Sequence, residues 1–284
     1  MFDLVISIAV HGVILGVIYA TIAMGMSLIF GVMGIKNLAH GDFAVLGMFT
    51  SYWLFYLFNV PPLISIPIAF ALFFCIGMIM TKGMFKYIIG EMLGSIILTF
   101  GLSILMENLM LLIWGGDYRT VPVEFGGYQF GPVFLSGKEI LAFVLTLALI
   151  VFVQIFLSKT KVGIAIKAVS QDPEAAESLG ISADLMRQVG GGLGIGLAGC
   201  GGAILALIYY IFPYLGIQLT LFALIICVFA GLGNVLGAFF GGIIIGVAQS
   251  LASLVMAYSL TPAVGFALFV LILIFRPQGL FGRR

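Results

Sequence analysis

Apolar runs of roughly 20 residues, the length a helix needs to cross the hydrocarbon core of a bilayer, recur along almost the whole chain. The first extends from about Val5 to Phe30, and others follow at Phe43–Phe58, Leu63–Thr81, Met92–Trp114 and Ile140–Leu157. From Val189 onward the chain is apolar again, divided at Pro213-Tyr214, at Gly231–Asn234 and at Ser259–Pro262 into about four more spans. A soluble fold could not cover such a surface. Of 284 residues, 63% are hydrophobic and 8% charged, against roughly half and about 25% in soluble domains. The expected fold is therefore all-α: one polytopic bundle of about eight or nine transmembrane helices covering residues 1–284.

The breaks carry the polar residues. Pro61-Pro62 cannot lie inside a helix and marks a tight turn. Lys82, Lys86 and Glu91 mark a loop, and Gly115 to Lys138, with Asp117, Arg119 and Glu124, reads as an exposed loop with room for a short extended hairpin. Lys and Arg concentrate in short loops on the cytoplasmic side. That rule places Lys36, Lys82, Lys86, Lys159, Lys161, Lys167 and Arg187, and the tail Arg276, Arg283 and Arg284, inside. The start, the Pro61 turn and the Asp117 loop then lie outside. The first residues lack a basic segment and Asp3 is acidic, so the first apolar stretch is expected to be a retained span.

A net charge of +1 leaves no basic surface for nucleic acid. Cys75, Cys200 and Cys227 sit in apolar runs, without metal-site spacing, and read as small buried hydrophobes. Glycine is abundant, at 38 residues, and several stand four apart: Gly12/Gly16, Gly192/Gly196, Gly233/Gly237/Gly241 and Gly242/Gly246. In lipid such spacing brings helix backbones together. The other reading is unwound backbone lining a path.

The longest polar stretch, Ser158 to Gln188, is the most informative. Asp172 suits a helix N-cap, Pro173 the first turn, Glu174 the positive end of the helix dipole and Gly180 the stop. A short helix, Pro173 to Leu179, is expected there, with Ala175, Ala176 and Leu179 as its apolar face. It would lie on the membrane surface or dock in a groove on a partner.

Glu174-Ala175-Ala176, followed by Gly180, resembles the coupling loop of ABC importer permeases. Lys159 to Ile181 looks like the branched-chain amino-acid permease family of the LivH type. Asn37-Leu38-Ala39-His40-Gly41-Asp42-Phe43, Gly231-Leu232-Gly233-Asn234-Val235-Leu236-Gly237 and the tail Arg276-Pro277-Gln278-Gly279-Leu280-Phe281-Gly282 resemble the same family. One departure is that the Ile-x-Leu-Pro ending of the general importer motif is absent before Gly190. The resemblance implies coupling through Asp172, Glu174, Ala175, Ala176, Leu179 and Gly180. It implies as partners two ATP-binding subunits that carry ATP and Mg, a second homologous permease and an extracytoplasmic substrate-binding protein. Its substrates would be branched-chain or other small neutral amino acids, with urea and short amides also known in the family, and its site the prokaryotic inner membrane.

The chain itself lacks the glycine-rich loop that holds nucleotide phosphates. Its Gly137-Lys138 pair is followed by Glu139 and has no upstream glycine at the required spacing. Ionisable and amide groups within spans are costly unless partnered. Glu107, with Asn108 beside it, Gln154 and Gln249 are therefore candidates for interhelical hydrogen bonds. Asn37, His40 and Asp42, at the edge of the second span, fit helix capping or a substrate site; with Glu107 and Asn234 they make up the candidate path. Two histidines, His11 and His40, give no catalytic set and no metal site. A stand-alone secondary transporter or channel would need charges deep in several spans. A membrane enzyme would need a His, Asp or Ser cluster on one face.

Overall fold

The computed structural model describes residues 2–123, 125–257, 260–276 and 278–280. Met1, Glu124, Ser259, Pro277, Phe281, Gly282, Arg283 and Arg284, which enter the expectations above, lie outside the described residues. Lipid offers the backbone no hydrogen bonds, so each apolar run closes its own as a helix. In order these are α1 (Phe2–Met33), α2 (His40–Phe58), α3 (Pro62–Gly83) and α4 (Met92–Trp114). A hairpin follows, β1 (Gly127–Phe130) against β2 (Val133–Ser136), paired from Gly127↔Ser136 to Phe130↔Val133. Then come α5 (Gly137–Lys159), α6 (Lys161–Gln171), α7 (Pro173–Ser178), α8 (Ala183–Leu205), α9 (Leu215–Ala230), α10 (Val235–Ala252) and α11 (Thr261–Phe275). The protein is a polytopic α-helical membrane protein.

Among the described residues six helices are long and apolar enough to cross a membrane, and α9 and α11 are shorter apolar helices. Their burial orders them. The apolar windows of α1 and α8 are 83% and 89% buried, whereas those of α3, α4 and α5 are 22–28% buried. So α1 and α8 form the centre, and α3, α4 and α5 turn most of their apolar surface outward, toward lipid. Cys200 and Cys227 are buried as expected, but Cys75 is exposed. It lies on the outward side of α3, which packs its other side, Phe73 and Gly77, on α8.

Glycines set the spacing of the centre. The pairs Gly12/Gly16 on α1 and Gly242/Gly246 on α10 face each other: a Cβ at Gly12 would stand 2.9 Å from the Gly246 carbonyl oxygen. This is the close-packing reading of the four-residue spacing, with both helices unbroken.

Contacts sort the chain into two ends. Val32 meets Gly190 and Thr81 meets Gly191, so the ends of α1 and α3 lie beside the start of α8. Leu280 N–H donates to Phe229 at the end of α9, 2.8 Å. The Lys82, Lys159 and Arg276 segments thus gather at one end. At the other, His11 lies 3.4 Å from Glu139. There too Arg119 pairs with Ile211 and sits over the Trp53 and Tyr52 rings, 5.2 and 5.4 Å from their centroids.

Two differences from the sequence reading matter. Residues 161–171, expected as loop, form α6, while Arg187 and Gln188 belong to α8, capped at Ser182 and carrying an Arg187–Asp184 pair at 3.6 Å. The second is α2: His40, Gly41 and Asp42 are fully buried, so this helix begins inside the bundle and not at its edge.

Candidate functional site

At the Lys-rich end stands α7. Asp172 Oδ1 accepts from the Ala175 N–H at 2.9 Å, and Pro173 occupies the first turn. Gly180 ends the helix at φ +81 with no atom near its missing Cβ, so glycine is needed there for backbone conformation and not for space. The expected apolar face is divided. Leu179 is 81% exposed and Ala175 and Glu174 are exposed, but Ala176 is buried against this chain. Consecutive helical residues point about 100° apart, so Ala175 and Leu179, four apart, share a side that Ala176 does not. Ala176 therefore anchors α7, and Leu179 and Ala175 are what it presents.

Inside the bundle, the start of α2 is held by a polar knot. Asn37 Oδ1 accepts from Ala39 N–H (3.1 Å), and His40 Nε2 lies 2.9 Å from the Ile22 carbonyl of α1. Ser103 Oγ of α4 donates to Asp42 Oδ2. Thr99 Oγ1 accepts from Leu38 N–H (3.0 Å), and Thr220 Oγ1 of α9 accepts from Gly41 N–H (2.8 Å). The start of α9 closes on the same point, with Gly216 against Asp42. Two helices thus begin inside the bundle, and at the start of α2 the Leu38, Ala39 and Gly41 N–H groups are taken by side-chain oxygens. Asn37 Nδ2, His40 Nδ1 and Asp42 Oδ1 are buried without partners.

Glu107 is half-buried one turn beyond Ser103, within electrostatic reach of Asp42. Asn234 lies elsewhere, as the N-cap of α10, where its Oδ1 accepts from Gly237 N–H at 2.9 Å. The structure therefore brings Asn37, His40, Asp42 and Glu107 together and sets Asn234 apart. Of the amides, Asn108 bonds within its own helix to Ile104, Gln154 is half-buried, and Gln249 Nε2 is buried without a partner. No interhelical side-chain bond forms at Gln154 or Gln249 among the described residues.

Asn234 lines a cleft of about 480 Å³ at the Lys-rich end, with Leu28, Gly31 and Val32 of α1, Gln154 of α5 and Lys167, Ser170 and Gln171 of α6. A second cleft, about 730 Å³, opens at the other end around Tyr19, His11, Glu139, Gln218 and Gln249. Both border α1. Between Tyr19 in one and Leu28 in the other, Ala20 to Ser27 are all buried, a plug roughly 13 Å long at the α-helical rise. Sequence reasoning missed Ser103, Thr99 and Thr220, because a hydroxyl in an apolar helix usually bonds its own preceding turn, as Thr99 also does to Ser95.

A helical membrane bundle with two interior helix starts, a polar cleft at each end and a capped helix standing off one end has the form of a transport permease. Residues 8–275 match the family described as branched-chain amino acid transport system / permease component, and the chain belongs to that family. It is 28% identical to the high-affinity branched-chain amino acid transport system permease protein BraD of Pseudomonas aeruginosa, over 96% of this chain and 94% of that one. The LivH permease protein of Escherichia coli K12 is 27% identical over the same shares. The probable LivH permease protein of Methanocaldococcus jannaschii is 28% identical over 83% of this chain and 77% of its own. No solved structure matches. As a permease component the chain is the membrane part, not the ATPase, of a system that has other components.

Proposed function

We propose that this chain is the membrane-spanning subunit of an ATP-driven importer that moves branched-chain or other small neutral amino acids by alternating access. Residues 1–284 form one transmembrane domain, and 158–188 form its coupling segment. The Lys-rich end faces the cytoplasm of a prokaryotic cell, the protein lying in the inner membrane. Two separate ATP-binding subunits bind ATP and Mg there. A second homologous permease and an extracytoplasmic substrate-binding protein complete the system.

The observation that carries this reading is the geometry of α7. An aspartate cap, a buried Ala176 and a left-handed Gly180 fix a short helix so that Leu179, 81% exposed, projects from the Lys-rich end. A leucine held that far out on so short a helix fits a groove on another protein. A push on α7 passes to α6 and α8, which it contacts, and α6 lines the inner cleft. The two clefts on α1 are then the openings that alternate, and Ala20 to Ser27 the seal between them.

The test is leucine uptake into proteoliposomes containing the assembled system. Uptake that needs ATP, and that Gly180→Leu abolishes while ATP hydrolysis continues, is the expected result. Uptake by this chain alone without ATP would assign it to the secondary transporters.

A further inference from the structure

On α4 an amide faces out at the depth of the lipid. The helix carries Ser95, Thr99, Ser103, Glu107 and Asn108, and no Lys or Arg. The first four stand four apart. Each step of four carries the row about 40° further round a helix of about 3.6 residues per turn, so the row winds outward as it climbs. Ser95, Thr99 and Ser103 are buried, Glu107 is half-buried, and Asn108, about 100° further round, is exposed.

At 23 residues, α4 is about 34 Å long, close to the thickness of the hydrocarbon core. Asn108 stands six residues before Trp114, about 9 Å short of the helix end and so within the hydrocarbon. No water reaches an amide there. One Nδ2 hydrogen goes to the Ile104 carbonyl of the same helix, at 2.8 Å. The other hydrogen and Oδ1 are left to whatever covers this face. Glu107 takes part in neither ion pair of the described residues, His11–Glu139 and Arg187–Asp184. Polar groups at this depth are partnered by neighbouring helices.

The face has the form of a helix seam. Gly101, Leu105, Asn108 and Leu112 are four, three and four apart, which aligns them as one stripe, and all four are exposed. Nothing stands within 4 Å of the Cβ position of Gly101, so the stripe holds a notch. Within its own chain α4 packs on α2 and α9, on the side opposite the stripe. The stripe and its flank offer one N–H against three acceptor oxygens, Asn108 Oδ1 and the two of Glu107. A second copy of this chain, related by a two-fold axis, would add the same excess of acceptors. A helix that brings N–H or O–H donors complements it.

We infer that the Gly101–Leu112 stripe of α4 is the seam with the second, homologous permease, whose facing helix donates hydrogen bonds to Asn108 and Glu107. This rests on the reading above that such a partner is present, and adds where it sits.

The experiment places the photoreactive residue benzoylphenylalanine at Leu105, or at Phe152 on the outward face of α5, in the complete importer in its native membrane. The two positions are matched in exposure, 55% and 56%. After irradiation, adducts of this chain are identified by mass spectrometry. The expected result is an adduct with the second permease from Leu105 and none from Phe152. Asn108→Leu should lower its yield about threefold or more, the scale of one hydrogen bond between helices in a membrane. Asn108→Gln, which keeps an amide, should restore it. The melting temperature of the isolated chain should hold in both, since Asn108 touches only its own helix. An adduct of Leu105 with a second copy of this chain, or with lipid alone, overturns the seam, as does an adduct with the second permease from Phe152 only. A complete importer that contains no second permease overturns the partner reading, and the seam with it.

Discussion

Gly16 on α1 faces the backbone of Gly242 on α10 so closely that a Cβ at Gly16 would stand 2.5 Å from the Gly242 carbonyl oxygen. That oxygen belongs to backbone and cannot step aside as a flexible side chain would. Gly16→Val should therefore push α1 from α10 and cost about 1–3 kcal/mol, as overpacking of a close-packed interior does. Gly101, in the outward face of α4, has nothing within 4 Å of its Cβ position. Gly101→Ala should instead be neutral or stabilising by up to about 1 kcal/mol, since helical glycine is the weaker choice. Thermal unfolding in detergent, followed by size-exclusion chromatography, separates the two. Equal stability of Gly16→Val and wild type would remove the seam from the account.

Ser103 is the donor to Asp42 Oδ2, and Asp42 Oδ1 has no partner. Ser103→Ala leaves the buried carboxyl without a hydrogen bond from a side chain, at a cost of about 1–3 kcal/mol. With Asp42→Asn already present, the same change should cost less, because the two share one interaction. A double-mutant cycle on melting temperature reads the coupling directly, and strictly additive effects would contradict the bond.

Leu179 and Ala176 lie in one short helix and should behave oppositely. Leu179→Glu, at a position 81% exposed, should leave stability within about 0.5 kcal/mol yet abolish ATP-driven uptake. Ala176→Trp, at a position 3% exposed, has no room and should lower yield and melting temperature before any effect on transport. Normal uptake in a stable Leu179→Glu variant would mean that α7 is not the docking element.

Asp172→Ala removes the acceptor for Ala175 N–H, at a cost of about 1 kcal/mol confined to α7. Gly180→Val forces a branched side chain into a left-handed conformation, φ +81, which costs about 1–2 kcal/mol. Both should lower uptake per ATP hydrolysed without lowering the amount of protein in the membrane. Immunoblotting of membranes beside coupled uptake and ATPase assays decides it.

The residues that specified α7 are local, which is why they were legible. Asp172, Pro173 and Gly180 each act on the backbone within a turn of themselves, and the structure places all three as read. The Gly12/Gly16 and Gly242/Gly246 spacings marked a packing face but not which helix would meet which. The start of α2 was misplaced at the edge of a span because its burial comes from α1, α4 and α9, far off in sequence. α6 was missed because Lys161, Lys167 and Gln171 make it polar enough to pass for a loop, while Ile166 and Val169 supply its buried side. Glu139 entered the sequence reading only as the residue after Gly137-Lys138, and its approach to His11 crosses 128 positions of sequence from Glu139 back to His11. No spacing rule spans that distance.

The central claim is that this chain works only as the membrane part of an ATP-driven assembly. It is tested most directly by isolating the chain from its native membrane in mild detergent and identifying by mass spectrometry what remains bound. The account expects ATP-binding subunits and a second permease in the wild-type sample, with the ATP-binding subunits lost from Leu179→Glu and Gly180→Val. A chain that comes away alone, and that moves leucine across liposomes without ATP, would contradict it.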